Sequence, residues 1–207
     1  MENTLPADSK LPNSAVEFVP NNYFTPLELS AIFGRQASLH VDLGCGDGSF
    51  LCELAAQNPN RNFLGIEKLA SRVAKTCRKS AHLENVRVLN VESAYAVHYL
   101  LPEASVQTFY LLFPDPWPKR RHHRRRIVTI DFLDSIHRAL EPGGTLRIAT
   151  DQPDYFEQIS GVATKNSRFL IIDAEDTDLP TTKFERRFSE AGAPIYRLVL
   201  RKVSPVA

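Results

Sequence analysis

The chain has 207 residues, 43% of them hydrophobic and 24% charged, with 25 Lys and Arg against 24 Asp and Glu. That length suits one domain with a sizeable core, and the composition is that of a globular protein rather than a disordered or fibrous one. No run approaches the roughly 20 apolar residues of a membrane span, the polar, proline-dotted start lacks the apolar centre of a secretory signal, and Cys45, Cys52 and Cys77 form no Cys-x-x-Cys pair, which points to free thiols in a reducing cytoplasm.

Residues 1–22 carry Pro6, Pro12 and Pro20 and little periodicity. We therefore expect residues 1–37 to be an N-terminal arm, flexible or loosely docked, with a short helix over 23–33 covering the edge of a domain that occupies 38–207. From Leu39 the pattern becomes strand (39–43), glycine turn (Gly44-Cys45-Gly46-Asp47-Gly48) and helix (50–57). A second strand (62–67) follows the Asn58-Pro59-Asn60 turn, then a helix over 69–82 and a third strand over 86–90. The fourth strand spans 106–113, and the fifth, 145–150, follows Glu141-Pro142-Gly143-Gly144. Residues 169–173 and 195–202 alternate more clearly, as an antiparallel edge pair does. The sum is an α/β fold: a doubly wound, mostly parallel, seven-stranded Rossmann-like sheet with an antiparallel edge.

The turn Gly44-x-Gly46-x-Gly48 lets backbone approach a ligand at a helix start. Alone this is a weak motif, which a tight structural turn also explains, and Ser49 stands where the dinucleotide fingerprint needs another glycine. Charge separates the ligands better than spacing. Asp42 precedes the turn, Asp47 lies inside it and Glu67 ends the second strand, so a pyrophosphate would meet several carboxylates. S-adenosylmethionine has no phosphate, bears a sulfonium and an ammonium, and offers ribose hydroxyls. Glu67 is placed to accept those hydroxyls and Asp42 to face the methionine end, while Glu92 reads either as an adenine-side contact or as a solvated loop acid.

The fourth strand runs into Phe113-Pro114-Asp115-Pro116-Trp117-Pro118-Lys119-Arg120-Arg121-His122-His123-Arg124-Arg125-Arg126. Three prolines forbid a helix and present Asp115 and Trp117 from a rigid turn. Six of the eight residues 119–126 are Lys or Arg, and setting them aside leaves 19 basic against 24 acidic residues, so one local patch carries the attraction for polyanions. A solvated charge run is the bland alternative. The spacing of Ile127, Ile130, Leu133, Ile136 and Leu140 predicts a helix starting near Arg124 with arginines at its positive end, an arrangement that favours a bound phosphate. His122 and His123 have no Cys or acid at ligand spacing, so no metal is expected. Trp117 is either a core anchor or a stacking surface for a base.

This stretch resembles the signature of the bacterial tRNA (guanine-N7)-methyltransferases, Phe-Pro-Asp-Pro-Trp-x-Lys-x-x-His-x-(Lys/Arg)-Arg-Arg, at every position, with weaker agreement from about Leu39 to Lys202. The resemblance implies a methyltransferase fold, S-adenosylmethionine as methyl donor and N7 of guanosine 46 in tRNA as acceptor. It also implies that Asp42, Glu67, Glu92 and Asp115 contact the cofactor region, and that Lys119, Asp151 and the segment Thr182-Lys183-Phe184-Glu185 bind RNA. With Gly44, Gly46 and Gly48 at the cofactor and Arg124, Arg125 and Arg126 at the RNA backbone, Asp115 is the candidate catalytic residue. Thr150-Asp151 with Tyr155 matches the family's Thr-Asp-x-x-x-Tyr. Thr182-x-x-Glu185 also reads as a helix capping box. The family commonly has Arg-Gly after that segment, whereas Arg187 is followed here by Phe188, so the local turn differs. A methyltransferase for a small anionic molecule and a non-catalytic RNA-binding module are the rival readings. A monomer or homodimer, without membrane association, is expected.

Overall fold

The computed structural model describes residues 16–173 and 179–203. Within them the chain forms β1 (Glu17–Phe18), α1 (Leu29–Phe33), β2 (Leu39–Leu43), α2 (Ser49–Gln57), β3 (Asn62–Ile66), α3 (Ala70–Lys79) and β4 (Val86–Leu89). Next come α4 (Ser93–Tyr95), continued by a π turn (Ala96–Leu100), then β5 (Val106–Leu112), a 3-10 turn (Arg120–Arg125) and α5 (Ile130–Ala139). The remainder is β6 (Leu140–Thr150), α6 (Pro153–Thr164), β7 (Phe169–Ile172), α7 (Lys183–Glu190) and β8 (Tyr196–Lys202). One sheet collects all the strands in the order β1-β4-β3-β2-β5-β6-β8-β7, with β8 antiparallel to both its neighbours and the other pairs parallel.

Every residue of β2 and β3 is buried, which is why these strands read as apolar runs rather than alternating ones. Helices cover both faces. On one side Ile32, Val97, Leu100, Leu133, Ile136 and Ile159, from α1, the π turn, α5 and α6, pack against the sheet. On the other, Phe50, Leu51, Leu54 and Val73 of α2 and α3 do so. The expected doubly wound sheet with an antiparallel edge is therefore present, and it carries one strand more than expected.

That additional strand comes from the segment expected to be a loose arm. Glu17 and Phe18 pair with Val88 and Leu89, and the Val16 carbonyl accepts a hydrogen bond from the Val88 amide at 2.8 Å. Val16, Leu27, Ile32 and Phe33 are buried, so residues 16–37 are part of the domain, because their apolar side chains close the β4 edge of the core. Residues 1–15 of the expected arm lie outside the described residues.

A second difference concerns α5, which starts at Ile130 and not near Arg124. Thr129 has extended backbone and its hydroxyl accepts from the Phe132 amide at 3.2 Å, making it the helix cap, while residues 120–125 form the separate 3-10 turn. The arginines are thus not at the positive end of α5. Replacing Thr129 by Ala should lower unfolding free energy by about 1 kcal/mol, measured as a shift of the urea midpoint without a change of slope. The same change at Arg124 should leave the midpoint alone.

Candidate functional site

The strand order reverses at β2. Its successor β3 lies on one side and β5 on the other, so the carboxyl ends of β2 and β5 open a cleft where sheets of this kind bind ligands. Asp42, Gly44, Gly46, Asp47, Arg72 and Phe113 line it. Asp42 sits in register with Tyr110 of β5, is 4% exposed, and accepts no hydrogen bond among the described residues. Burial, reinforced by the charge of Glu67, pushes its carboxyl up to about 7.

Glu67, 4% exposed and absent from the lining of the cleft, builds the glycine turn. Its Oε2 accepts from the Gly46 amide at 3.2 Å and its Oε1 from the Leu69 amide at 2.9 Å, while Arg72 lies 3.8 Å from Oε2. A carboxylate has about four acceptor directions, so two remain for a ligand. Gly48, at φ 74°, caps α2, and a Cβ there would fall 2.4 Å from Cγ2 of Thr76. The hydroxyl of Thr76 in turn donates to the Gly46 carbonyl at 3.2 Å. Close approach between the turn and α3 therefore requires glycine at 48.

The N-terminal end of α7 closes one side of this cleft with Thr182, Lys183 and Phe184. The capping box is formed: the Thr182 hydroxyl accepts from the Glu185 amide at 3.0 Å, and Glu185 accepts from the Thr182 amide at 3.3 Å. Glu185 also accepts from Arg197 of β8. Lys183 reaches across to Asp47, which Lys79 also holds at 2.7 Å. Partial burial opposes the Asp47 charge, but hydrogen bonds from Lys183, Lys79 and Ser49 outweigh it and hold the carboxyl well below the usual range. Phe188, standing where a glycine was expected, continues α7 and packs on Phe113 at 5.5 Å, with Phe184 at 6.0 Å from the same ring. The turn comes later, at Gly192.

Beside the cleft, at the carboxyl end of β5, the proline segment holds two non-glycine residues at positive φ, Phe113 (53°) and Trp117 (44°), so it is strained on both sides of Asp115. Asp115 is exposed and makes no hydrogen bond or ion pair among the described residues, Lys119 included. Arg126 fixes this loop. Its Nε donates to the Pro116 carbonyl at 2.7 Å, its two terminal nitrogens donate to Gln158 at 2.7 Å and Asp154 at 2.5 Å, and its guanidinium lies 4.6 Å over the Tyr155 ring. At 3% exposure it cannot join the RNA-facing row in which the sequence placed it; its charge is used inside the fold.

The other cations behave differently. Lys119, Arg120, Arg121, Arg124 and Arg125 are exposed and form no ion pair among the described residues. Arg125 lies 4.8 Å over the Trp117 ring, and His122 meets that ring edge-on at 5.9 Å, so the half-buried Trp117 supports the cationic row instead of anchoring the core. Glu92 is exposed and caps α4 by accepting from the Tyr95 amide at 2.9 Å. It borders a second groove and is absent from the lining of the cleft that holds Asp42. Asp151 follows β6 and accepts from the Gln152 side chain at 2.5 Å, while Tyr155 is fully buried with its hydroxyl accepting from the Val128 amide at 3.4 Å. The sequence reading missed the Phe113, Phe184 and Phe188 cluster and the Asp47 to Lys183 link; only the placing of α7 reveals them.

A doubly wound sheet, an acid-lined glycine turn at its switch point and an exposed acid at the end of β5 define a methyltransferase of the class that uses S-adenosylmethionine. A family model described as a putative methyltransferase matches residues 36–198. The chain is 38% identical over 181 residues to a tRNA (guanine-N(7)-)-methyltransferase of Nitrosococcus oceani, covering 86% of this chain and 77% of that protein. It is 39% identical over 183 residues to the enzyme of the same name from Halorhodospira halophila, covering 84% and 79%. The chain belongs to the tRNA (guanine-N(7)-)-methyltransferase family. In fold it is similar to the crystal structure of the 16S rRNA methyltransferase KamB, with a TM-score of 0.62 at 19% identity over 88% of this chain and 95% of that one.

Two stability measurements follow from this geometry. In the fold Asp42 stays protonated up to about pH 7, whereas in the unfolded chain it ionises near 3.8. Its stabilising contribution is therefore complete below about pH 4 and is lost as pH rises to about 7. Urea midpoints of the unliganded Asp42→Asn variant should lack that loss over the same window. Arg126→Ala strands the Pro116 carbonyl and opens the Tyr155 face. It should cost about 1 to 3 kcal/mol, with little of this from the half-exposed Asp154, read from urea unfolding.

Proposed function

We propose that this chain transfers the methyl group of S-adenosylmethionine to N7 of a guanosine in tRNA, with position 46 as the acceptor. The observation that carries the reading is Asp115, an acid without a partner among the described residues. It is held between two prolines at the end of β5, beside the cleft and next to a row of exposed cations that form no ion pair among the described residues. The relatives named for this activity agree with it.

The residues of the cleft fit the methyl donor. Asp42 is a nearly buried carboxyl without a donor among the described residues, and an ammonium placed beside it would favour its charged form. Glu67, hydrogen-bonded to the Gly46 amide of the lining, keeps two acceptor directions for ribose hydroxyls, and Gly44 and Gly46 let the ligand approach their backbone. When bound, S-adenosylmethionine supplies an electrophilic methyl group on a sulfonium.

Guanine N7 has a free lone pair at neutral pH, so no residue has to remove a proton before attack. The work of the protein is alignment. Asp115 can accept from the N1–H and N2–H edge of guanine, which lies opposite N7, and so aim N7 toward the cleft. Lys119, Arg124 and Arg125 hold phosphates while the base leaves its stack. Thr182, Lys183 and the half-exposed Phe184 line the cleft, and with Glu185 and Asp151, at the end of β6, they make the remaining contacts to the RNA.

The direct test is incubation of the purified protein with labelled S-adenosylmethionine and bulk tRNA, followed by nucleoside analysis. 7-Methylguanosine is expected, and its absence would overturn the reading. Asp115→Ala should lower turnover by a large factor at saturating tRNA and cofactor with the fold intact; a variant that turns over at full speed would remove Asp115 from the site. Replacing Arg124 and Arg125 by Ala should reduce the log-log salt slope of tRNA binding by about 0.7 to 0.9 for each phosphate that is no longer neutralised. Arg126→Ala should leave that slope unchanged.

A further inference from the structure

The groove bordered by Glu92 lies between the π turn and the start of α5, and the residues proposed to hold the methyl donor and to orient the guanine do not line it. Tyr99, in this groove, is 51% exposed. The Tyr95 ring lies 4.8 Å from it and the His98 ring 4.3 Å, nearly perpendicular. Both neighbours are tied down: His98 Nδ1 is 2.9 Å from the Ser135 hydroxyl, and the Tyr95 hydroxyl donates to the Tyr23 carbonyl at 2.9 Å. Beneath them Ala96, Val97 and Leu100 are fully buried. Arg138 from α5 donates to the carbonyls of Val97 (2.7 Å), Leu101 (2.8 Å) and His98 (3.2 Å), groups that the widened turn leaves open. An exposed aromatic ring on so rigid a base loses little conformational freedom when a flat ligand covers it.

Charge selects the ligand. Arg125, at the end of the cationic row, lines one wall of this groove, while Glu92 and Asp131 lie on it beside the rings. A phosphate is attracted to the arginine side and repelled from the acid side, whereas an uncharged base is tolerated by both and gains the ring face. We propose that this groove is a stacking subsite for an unpaired base of the RNA substrate, with Tyr99 as its platform and Arg125 on the adjoining phosphate. The proposal rests on the reading of the chain as a tRNA methyltransferase. It adds a second nucleotide contact, separate from the one that presents N7.

Bulk tRNA affinity by fluorescence titration, across a salt series, tests it. Tyr99→Ala should weaken binding by about 5- to 150-fold, the range of one base stacked on an aromatic ring, with the salt slope unaltered. Tyr99→Phe should stay close to the parent. A single-stranded oligonucleotide carrying 2-aminopurine should lose fluorescence on the parent and on Tyr99→Phe but not on Tyr99→Ala. Equal tRNA affinity in the parent and Tyr99→Ala would overturn the proposal. That result differs from failure of the methylation reading, in which the parent forms no 7-methylguanosine whatever Tyr99 does.

Discussion

The guanidinium of Arg126 is the constraint on which the site depends. A buried charge costs several kcal/mol unless its hydrogens are satisfied, and this one is held by groups from two places: the Pro116 carbonyl and, on α6, the side chains of Asp154 and Gln158 with the Tyr155 ring face. One cation therefore ties the proline loop to the helix after β6. The loop needs that tie. Phe113 and Trp117 adopt positive φ, at a cost of order 1 to 3 kcal/mol each, and such backbone persists only where its surroundings leave no alternative. Arg126 grips it at Pro116, and the Phe184 and Phe188 rings hold Phe113. Asp115 is exposed between the two fixed points.

Much of the frame was legible because a parallel sheet buried on both faces writes itself as short apolar runs separated by turns. The strands over 39–43 and 62–67 and the glycine turn between them follow from that rule. β1 was not legible: two residues in a proline-dotted stretch carry no period, and only pairing with Val88 and Leu89 makes them a strand. The start of α5 was misplaced because apolar spacing runs continuously from Ile127, while the cap at Thr129 is decided by one side-chain hydrogen bond.

The site was legible in its parts and less so in their roles. Six cations in eight residues look alike in a sequence, yet one of them is interior, and its partners stand 28 and 32 positions away. Glu67 was read as a ligand contact from its place at the end of a strand; that its carboxylate also braces Gly46 depends on the two turns meeting in space. The Thr182 to Glu185 segment shows the opposite case. Its capping box is formed and Thr182, Lys183 and Phe184 line the cleft, so a local capping role does not take the segment away from the cleft.

The fastening of α7 has a consequence for turnover. Its hold on the glycine turn is an ion pair between Lys183, 61% exposed, and Asp47, 30% exposed, and its hold on β8 is the pair between Glu185 and Arg197. Such pairs weaken as salt rises, as do contacts between exposed arginines and phosphates. Release of a polyanionic product and loosening of the helix over the cofactor cleft thus answer to the same physical variable.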